Sequence, residues 1–101
     1  MVKFLFILLV PLFVPHAVLA HQINGTLQNA RGSALQNTRI DIRCPSTQKT
    51  TRTDKRGSFS FYISKTGRCM IVVKGATYKV YSSKNPVRYD LIFDKGRLRR
   101  R

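Results

Sequence analysis

The sequence predicts an all-β fold, an antiparallel sandwich of seven short strands. Apolar and polar residues alternate with a period of two in several segments, and turn-forming residues recur at intervals of about ten residues. After position 20, no window of helical length carries an apolar stripe. Short, regularly spaced strands of this kind are typical of a two-sheet sandwich.

Four segments show the clearest alternation, and each is expected to place one face on a core. Their apolar residues, in chain order, are Ile40, Ile42 and Cys44; Phe59, Phe61 and Ile63; Cys69, Ile71 and Val73; and Tyr89, Leu91 and Phe93. Weaker alternation predicts three further strands at residues 22–28, 49–53 and 78–81.

Turn-forming residues separate these segments. The most informative run is residues 54–57, Asp-Lys-Arg-Gly, because Asp can accept a hydrogen bond from the backbone ahead of it and Gly tolerates a positive φ. The other breaks contain Gly or Pro: Arg31-Gly32, Pro45-Ser46, Thr66-Gly67, Gly75 and Asn85-Pro86. No repeat or linker divides residues 21–101, which predicts one domain.

Residues 1–20 differ from the rest and predict a secretory signal peptide. Lys3 is the only charged residue there, residues 4–13 are almost wholly apolar, and small residues precede a cleavage point at His21. A membrane anchor is the alternative, but the apolar run is shorter than the ~20 residues that span a bilayer. We therefore expect an exported protein, periplasmic or extracellular, with no transmembrane segment in the mature chain.

Cys44 and Cys69 are the only cysteines and allow one intramolecular disulfide. Export favours the bridge over the alternative of two buried free thiols. A domain of this size is marginally stable without such a crosslink. In a chain-entropy model, a closed loop of this size stabilises the fold by about 3 kcal/mol.

Three motifs carry a family resemblance. Residues 23–27, Ile-Asn-Gly-Thr-Leu, follow the pattern hydrophobic-x-Gly-x-hydrophobic. Residues 32–42 are similar to a Gly-x-Pro-Leu second strand ending Val-x-Val, with Ala34 where Pro is usual. Residues 53–61 match Thr-Asp-x-x-Gly-x-Phe-x-Phe.

On these motifs, residues 21–94 resemble the carboxypeptidase regulatory-like domain, also called the transthyretin-like or prealbumin-like sandwich. The resemblance implies a seven-stranded antiparallel Greek-key sandwich. It implies no catalytic activity, because such domains are appended to enzymes, adhesins or transporters, or occur alone as small secreted proteins.

Residues that support catalysis are scarce after position 20. His21 is the only histidine there, and the sequence contains no Glu. Acid–base catalysis, a Ser-His-Asp triad and a zinc peptidase centre each need more such groups. A terminal amine with His21 could chelate copper, but the second histidine of such sites is missing. We therefore predict no enzyme, no catalytic or metal-binding residues and no cofactor.

Positive charge is the most unusual feature. The chain has 19 Lys and Arg against four Asp, a net charge of +15. Such a charge attracts polyanions, and outside the cytoplasm these are anionic envelope lipids, acidic glycans or nucleic acid. Two groups supply the candidate anion-binding residues: Lys49, Arg52, Lys55 and Arg56 around the third strand, and Lys95, Arg97, Arg99, Arg100 and Arg101 in the tail.

Other cations are more dispersed. Arg39 and Arg43 stand on the polar face of the second strand, and a third set is Lys74, Lys79, Lys84 and Arg88. An alternative is that the charge only keeps a small exported domain soluble. Specific nucleic-acid recognition is not expected, because sheet packing explains the tyrosines at strand spacing.

Residues 95–101 form a basic C-terminal tail with two interpretations. It is either a disordered arm or an extension of the last strand, with Leu98 on the face opposite Lys95, Arg97 and Arg99.

These features predict a non-enzymatic exported binding module that contacts an anionic surface (envelope lipid, acidic glycan or another polyanion) through Lys and Arg. The alternative is a structural or accessory subunit that pairs with a partner protein through an exposed sheet edge, with the charge incidental.

Overall fold

The computed structural model describes residues 21–101, and the predicted signal peptide, residues 1–20, lies outside the described residues. In the described part the chain forms strands and no helix, which confirms the all-β class. The strands are β1 (Gln22–Asn29), β2 (Arg39–Cys44), β3 (Thr47–Arg52), β4 (Ser58–Tyr62), β5 (Gly67–Val73), β6 (Ala76–Ser82), β7 (Val87–Arg88), β8 (Leu91–Asp94) and β9 (Arg97–Arg100).

Each predicted strand has a counterpart, and β7 and β9 are additional. The strands form two sheets: one has the order β4-β1-β8-β9, with β7 also paired to β1, and the other has the order β3-β2-β5-β6. The described pairings are antiparallel, except that β1 runs parallel to β7 and β8. A parallel pair needs a long crossover, and here the intervening chain passes twice through the second sheet.

Alternate residues from both sheets meet in one hydrophobic core. Ile23 and Leu27 of β1 are fully buried, as are Ile40 and Ile42 of β2. The predicted inward residues of β4, β5 and β8 join them, although Phe93 is only partly buried. Period-two alternation therefore identified the core faces of the strands.

Glycine is required where β1 approaches its neighbours most closely. A Cβ atom on Gly25 would overlap the carbonyl oxygen of Tyr89, in the segment that joins β7 to β8. The backbone N–H of Tyr89 donates to the carbonyl oxygen of Asn24 at 2.8 Å, which holds the two segments together. A side chain at position 25 would separate the parallel strands.

Residues 95–101 form neither a separate arm nor an extension of the last predicted strand, so both interpretations of the tail were wrong. The pair Lys95-Gly96 adopts positive φ values of 51° and 76°, and the chain turns back so that β9 pairs with β8. Such two-residue turns with two positive φ values are typical of tight hairpins. Leu98 is buried in the core, so the last strand is part of the fold.

A disulfide joins Cys44, at the end of β2, to Cys69, near the start of β5. The predicted pairing is confirmed. The bridge links two neighbouring strands of the same sheet and closes a segment with a sequence separation of 25.

Candidate anion-binding surface

The strand directions bring four connections to one end of the two sheets. β1 finishes at this end and β2 begins there, because residues 30–38 join them. β3 and β5 run antiparallel to β2 and therefore finish at this end. β8 runs parallel to β1, so the turn into β9 also lies there.

Eight basic residues lie at this end, which we call the basic end. Its cations are Arg31, Arg39, Arg52, Lys55, Arg56, Lys74, Lys95 and Arg97. The acidic residues at the same end, among those described, are Asp41, Asp54 and Asp94. The end therefore carries a large excess of positive charge.

The structure thus places parts of both predicted cation groups together. Arg52, Lys55 and Arg56 lie at the side formed by β3 and β4, whereas Lys95 and Arg97 lie at the side formed by β8 and β9. Three inter-strand spacings of about 4.8 Å, or about 14 Å in all, separate the edge strands β4 and β9. Both groups can therefore face one extended anionic surface.

The β3–β4 turn has a fixed geometry. Asp54 Oδ1 accepts hydrogen bonds from the backbone N–H groups of Ser58 at 2.9 Å and Arg56 at 2.8 Å. These bonds hold the pKa of Asp54 below its usual value. The turn presents Lys55 and Arg56 to solvent, while its carboxylate is engaged by the backbone.

Lys49 is not part of this end. It stands opposite Ile42 in the register of β2 and β3, so alternation places Lys49 on the side of the sheet that faces the core. Its Nζ donates to the carbonyl oxygen of Tyr62 at 2.6 Å. Lys49 and Arg52 are three residues apart along one strand, and alternation places their side chains on opposite faces.

The last three tail arginines are held by contacts along the first sheet. Arg100 lies over the ring of Tyr89, with Cζ 4.7 Å from its centroid, and donates to the carbonyl oxygen of Arg88 at 2.9 Å. Arg99 lies 4.0 Å from Asp94. The side chains of Arg100 and Arg99 are therefore engaged within the first sheet.

Arg101 and Arg88 both lie beside Asp90, at 3.6 Å and 3.0 Å. Thr26 donates to the same carboxylate from its backbone N–H and from Oγ1. Burial raises the pKa of Asp90. The hydrogen bonds from Arg88 and Thr26 and the charges of Arg88 and Arg101 lower the pKa by more, so it lies below its usual value. The positive charge of this face is thus partly neutralised.

A concavity opens at the basic end on the outer side of the second sheet. It has a volume of about 630 Å³. The residues that line it are Asn37, Thr38, Arg39, Asp41, Arg52, Val72, Lys74 and Gly75.

Arg39 and Lys74 lie in this concavity beside the predicted Arg52, although sequence reasoning did not place them in the site. Alternation in β2 put Arg39 on the polar face, but nothing in the sequence linked that face to the β5–β6 turn. The turn residues Lys74 and Gly75 have positive φ values of 50° and 86°, the signature of a tight hairpin.

Within residues 21–101, no group of three or more His, Cys, Asp or Glu side chains is arranged to hold a metal ion. In the same part of the chain, no helix is long and apolar enough to cross a membrane. Comparison with known proteins finds no family model and no curated protein that matches the chain.

Proposed function

We propose that this chain is an exported, non-enzymatic binding module that attaches to an anionic surface through its basic end. The observation that carries the proposal is the convergence of Arg52, Lys55 and Arg56 with Lys95 and Arg97, which are far apart in sequence. The anionic surface is envelope lipid, acidic glycan or another extracellular polyanion.

The strength of such attachment follows from the number of cations that act together. Each Lys or Arg close to an anionic membrane contributes about 1 kcal/mol. Charges interact over a Debye length of about 8 Å at physiological salt, so cations close to the anionic surface contribute most. Asp54 offsets one of these charges, because the backbone hydrogen bonds that lower its pKa keep it ionised.

The proposal extends to the fold family and to export. We propose a prealbumin-like Greek-key sandwich of the carboxypeptidase regulatory-like type, delivered outside the cytoplasm by residues 1–20. In support, residues 54–57 of the Thr-Asp-x-x-Gly motif form the tight β3–β4 turn, and Gly25 of the first motif lies at a close strand approach. The disulfide between Cys44 and Cys69 also favours an oxidising compartment.

The alternative, pairing of a partner protein with a sheet edge, has less support. Lys49 follows the inward phase of the edge strand β3, and an inward-pointing charge discourages further pairing. On β6, the backbone N–H of Tyr81 already donates to the hydroxyl of Tyr89 at 2.9 Å. Arginines occupy the edge strand β9. These features protect the edges and favour the basic end as the binding surface.

The experiment that tests the proposal measures retention of residues 21–101, oxidised, on heparin and on vesicles of phosphatidylglycerol and phosphatidylcholine across a salt series. The test variant changes four cations of the basic end, Lys55, Arg56, Lys95 and Arg97, to Gln. A matched control removes four cations elsewhere, by changing Lys65, Arg68, Lys79 and Lys84 to Gln.

We expect the salt needed for release to fall much further in the test variant than in the control. Since counterion release scales with the contacts made, the slope of affinity against salt should also fall in the test variant alone. An equal effect of the two variants would contradict the proposal. So would retention of the wild type no stronger than that of an unrelated protein of equal isoelectric point.

A further inference from the structure

Two arginines of like charge face each other at the rim of the concavity. Arg39 of β2 and Arg52 of β3 are direct partners in the strand register. Like charges directly opposite each other destabilise a sheet. Such a pair is therefore favourable when an anion lies between its members and accepts hydrogen bonds from both.

One hydrogen bond positions each guanidinium group, and most of its N–H groups remain available to a ligand. Arg39 donates from Nε to Asp41 Oδ1 at 3.0 Å, and Arg52 donates from one terminal nitrogen to the carbonyl oxygen of Asn37 at 2.9 Å. No other hydrogen bond from either group is found among residues 21–101. Since a guanidinium carries five N–H donors in a rigid fork, each arginine keeps donors for an oxyanion.

The carboxylate that positions Arg39 is itself fixed. Thr50 Oγ1 donates to Asp41 Oδ1 at 2.7 Å. The hydrogen bonds from Thr50 and Arg39 hold the pKa of Asp41 below its usual value. Asp41 is therefore ionised at neutral pH and orients Arg39 through its hydrogen bond to Nε.

A buried polar side chain fixes the wall beside the arginines. Thr53 is 4% exposed, and its Oγ1 accepts from the backbone N–H of Thr38 at 2.9 Å and donates to the carbonyl oxygen of Leu35. The backbone N–H of Asn37 also donates to the carbonyl oxygen of Thr53 at 2.9 Å. The loop that holds Arg52 through Asn37 is thus anchored to the end of β3.

The β5–β6 turn supplies the remaining wall and the third cation, Lys74. Its Nζ lies 5.4 Å from the centroid of the ring of Phe93, a residue of β8 in the first sheet. The lining then contains three cations, Arg39, Arg52 and Lys74, and one carboxylate, Asp41. This balance matches a dianion better than a monoanion.

We propose that this concavity binds a phosphate monoester, with Arg39 and Arg52 as hydrogen-bond donors to its oxygens and Lys74 as the third positive charge. A phosphate monoester carries a charge of about −1.5 to −2 at pH 7, whereas a sulfate monoester carries one negative charge. The volume of about 630 Å³ also leaves room for the group that bears the phosphate. This inference rests on the proposed function, because it names the group on the anionic surface that the basic end recognises.

The test is an NMR titration of residues 21–101 with glucose 6-phosphate and, as a matched probe, glucose 6-sulfate at constant ionic strength. We expect saturable shifts of the backbone amide signals of Thr38, Arg39 and Gly75. Affinity for the phosphate should exceed that for the sulfate by about tenfold at pH 7.5, because one further charge is paired.

Charge-preserving variants separate this site from general attraction. The change of Arg39 and Arg52 to Lys keeps the net charge and removes the forked donors. We expect it to weaken glucose 6-phosphate binding about tenfold or more. The matched control changes Arg43 and Arg68, on the same sheet face but outside the concavity, to Lys, and should leave glucose 6-phosphate binding unchanged.

Lys74→Gln provides a second test variant at an exposed turn, where the substitution does not disturb the core. We expect it to weaken glucose 6-phosphate binding severalfold. Equal affinity for the two probes, or unchanged phosphate affinity in both test variants, would overturn the site. Retention on heparin and vesicles would then still decide the proposed function, because that test changes other residues, Lys55, Arg56, Lys95 and Arg97.

Discussion

Lys49 joins the two sheets at one side of the molecule by donating from Nζ to the carbonyl oxygen of Tyr62 at 2.6 Å. The backbone N–H of Ile63 points towards β1, where it donates to His21. The C=O of Tyr62 and the N–H of Ile63 belong to one trans peptide unit and point in opposite directions, so the carbonyl oxygen of Tyr62 faces the free edge of β4. The ammonium group of Lys49 therefore binds a carbonyl oxygen at the edge of β4 and places a charge on the core-facing side of β3.

Replacement of Lys49 by Met should weaken edge protection without affecting attachment to polyanions. The loss of one partly solvated hydrogen bond should lower the free energy of unfolding by about 0.5–1.5 kcal/mol. We expect more self-association at high protein concentration, measured by sedimentation velocity, because the charge that discourages edge pairing is gone. The salt concentration that releases this variant from heparin should equal that for Lys65→Gln, a distant single-charge control. A clearly lower salt concentration for the Lys49 variant would mean that Lys49 takes part in polyanion binding.

Truncation after Asp94 should impair folding as well as binding. It removes β9, which pairs with β8, and it removes Leu98 from the core. Leu98→Ala alone should cost about 2–3 kcal/mol, because a buried leucine is truncated. Arg99→Ala, on the outer face of the same strand, should cost less than about 1 kcal/mol. Urea denaturation measures both, and equal costs would mean that Leu98 does not pack as described.

Gly25→Ala tests the close approach between β1 and the segment before β8. A methyl group there would overlap the carbonyl oxygen of Tyr89, so the strands must separate. We expect a loss of about 1–3 kcal/mol or more in the free energy of unfolding, as for other overpacked sites. Ser60→Ala on the exposed face of β4 is the control and should change stability by no more than about 0.5 kcal/mol. A Gly25→Ala protein as stable as the control would contradict this packing.

Reduction of the disulfide between Cys44 and Cys69 should destabilise the fold. We expect a decrease of about 3 kcal/mol, because the crosslink limits the conformations of the unfolded chain. Thermal unfolding with and without dithiothreitol measures the effect. A variant with both cysteines changed to Ala should resemble the reduced protein and show no response to dithiothreitol. An unchanged midpoint in reductant would mean that the bridge contributes nothing to stability.

Acid should destabilise the protein through its aspartates. The pKa of Asp90 in the folded chain lies below the usual value of 3.8, so ionisation favours the folded state. This stabilisation is fully present above that value and is lost as the pH falls through it towards the lower, folded-state pKa. We expect the urea midpoint to be nearly constant from about pH 7 to pH 5 and to fall below about pH 4.

Asp90→Asn should be less stable than the wild type at neutral pH, because Arg88 and Arg101 lose their partner. The variant should also lose less stability on acidification. The variant should still lose some stability in acid, because hydrogen bonds also lower the pKa values of Asp41 and Asp54 in the folded state. An acid response as steep as that of the wild type would show that Asp90 is not linked to folding.

The cation positions show how far the sequence alone could specify the candidate site. The turn of residues 54–57 was predictable, because its Asp and Gly act within a few residues, and so was the exposure of Lys55 and Arg56. The engagement of Lys49 with Tyr62 was not, since it depends on how two different sheets align. The same applies to Arg100, whose partner Tyr89 belongs to a different strand segment.

By itself, the sequence determined the all-β class, the inward faces of the main strands and the pairing of the only two cysteines, because these depend on local alternation and on composition. Tertiary structure decided the parallel pairing of β1 with β8, the return of β9 beside β8 and the meeting of Arg39, Arg52 and Lys74 around one concavity. Local alternation fixes the face of a side chain, whereas strand order and direction depend on contacts between distant segments. Those contacts determine which charges of a highly basic chain act together.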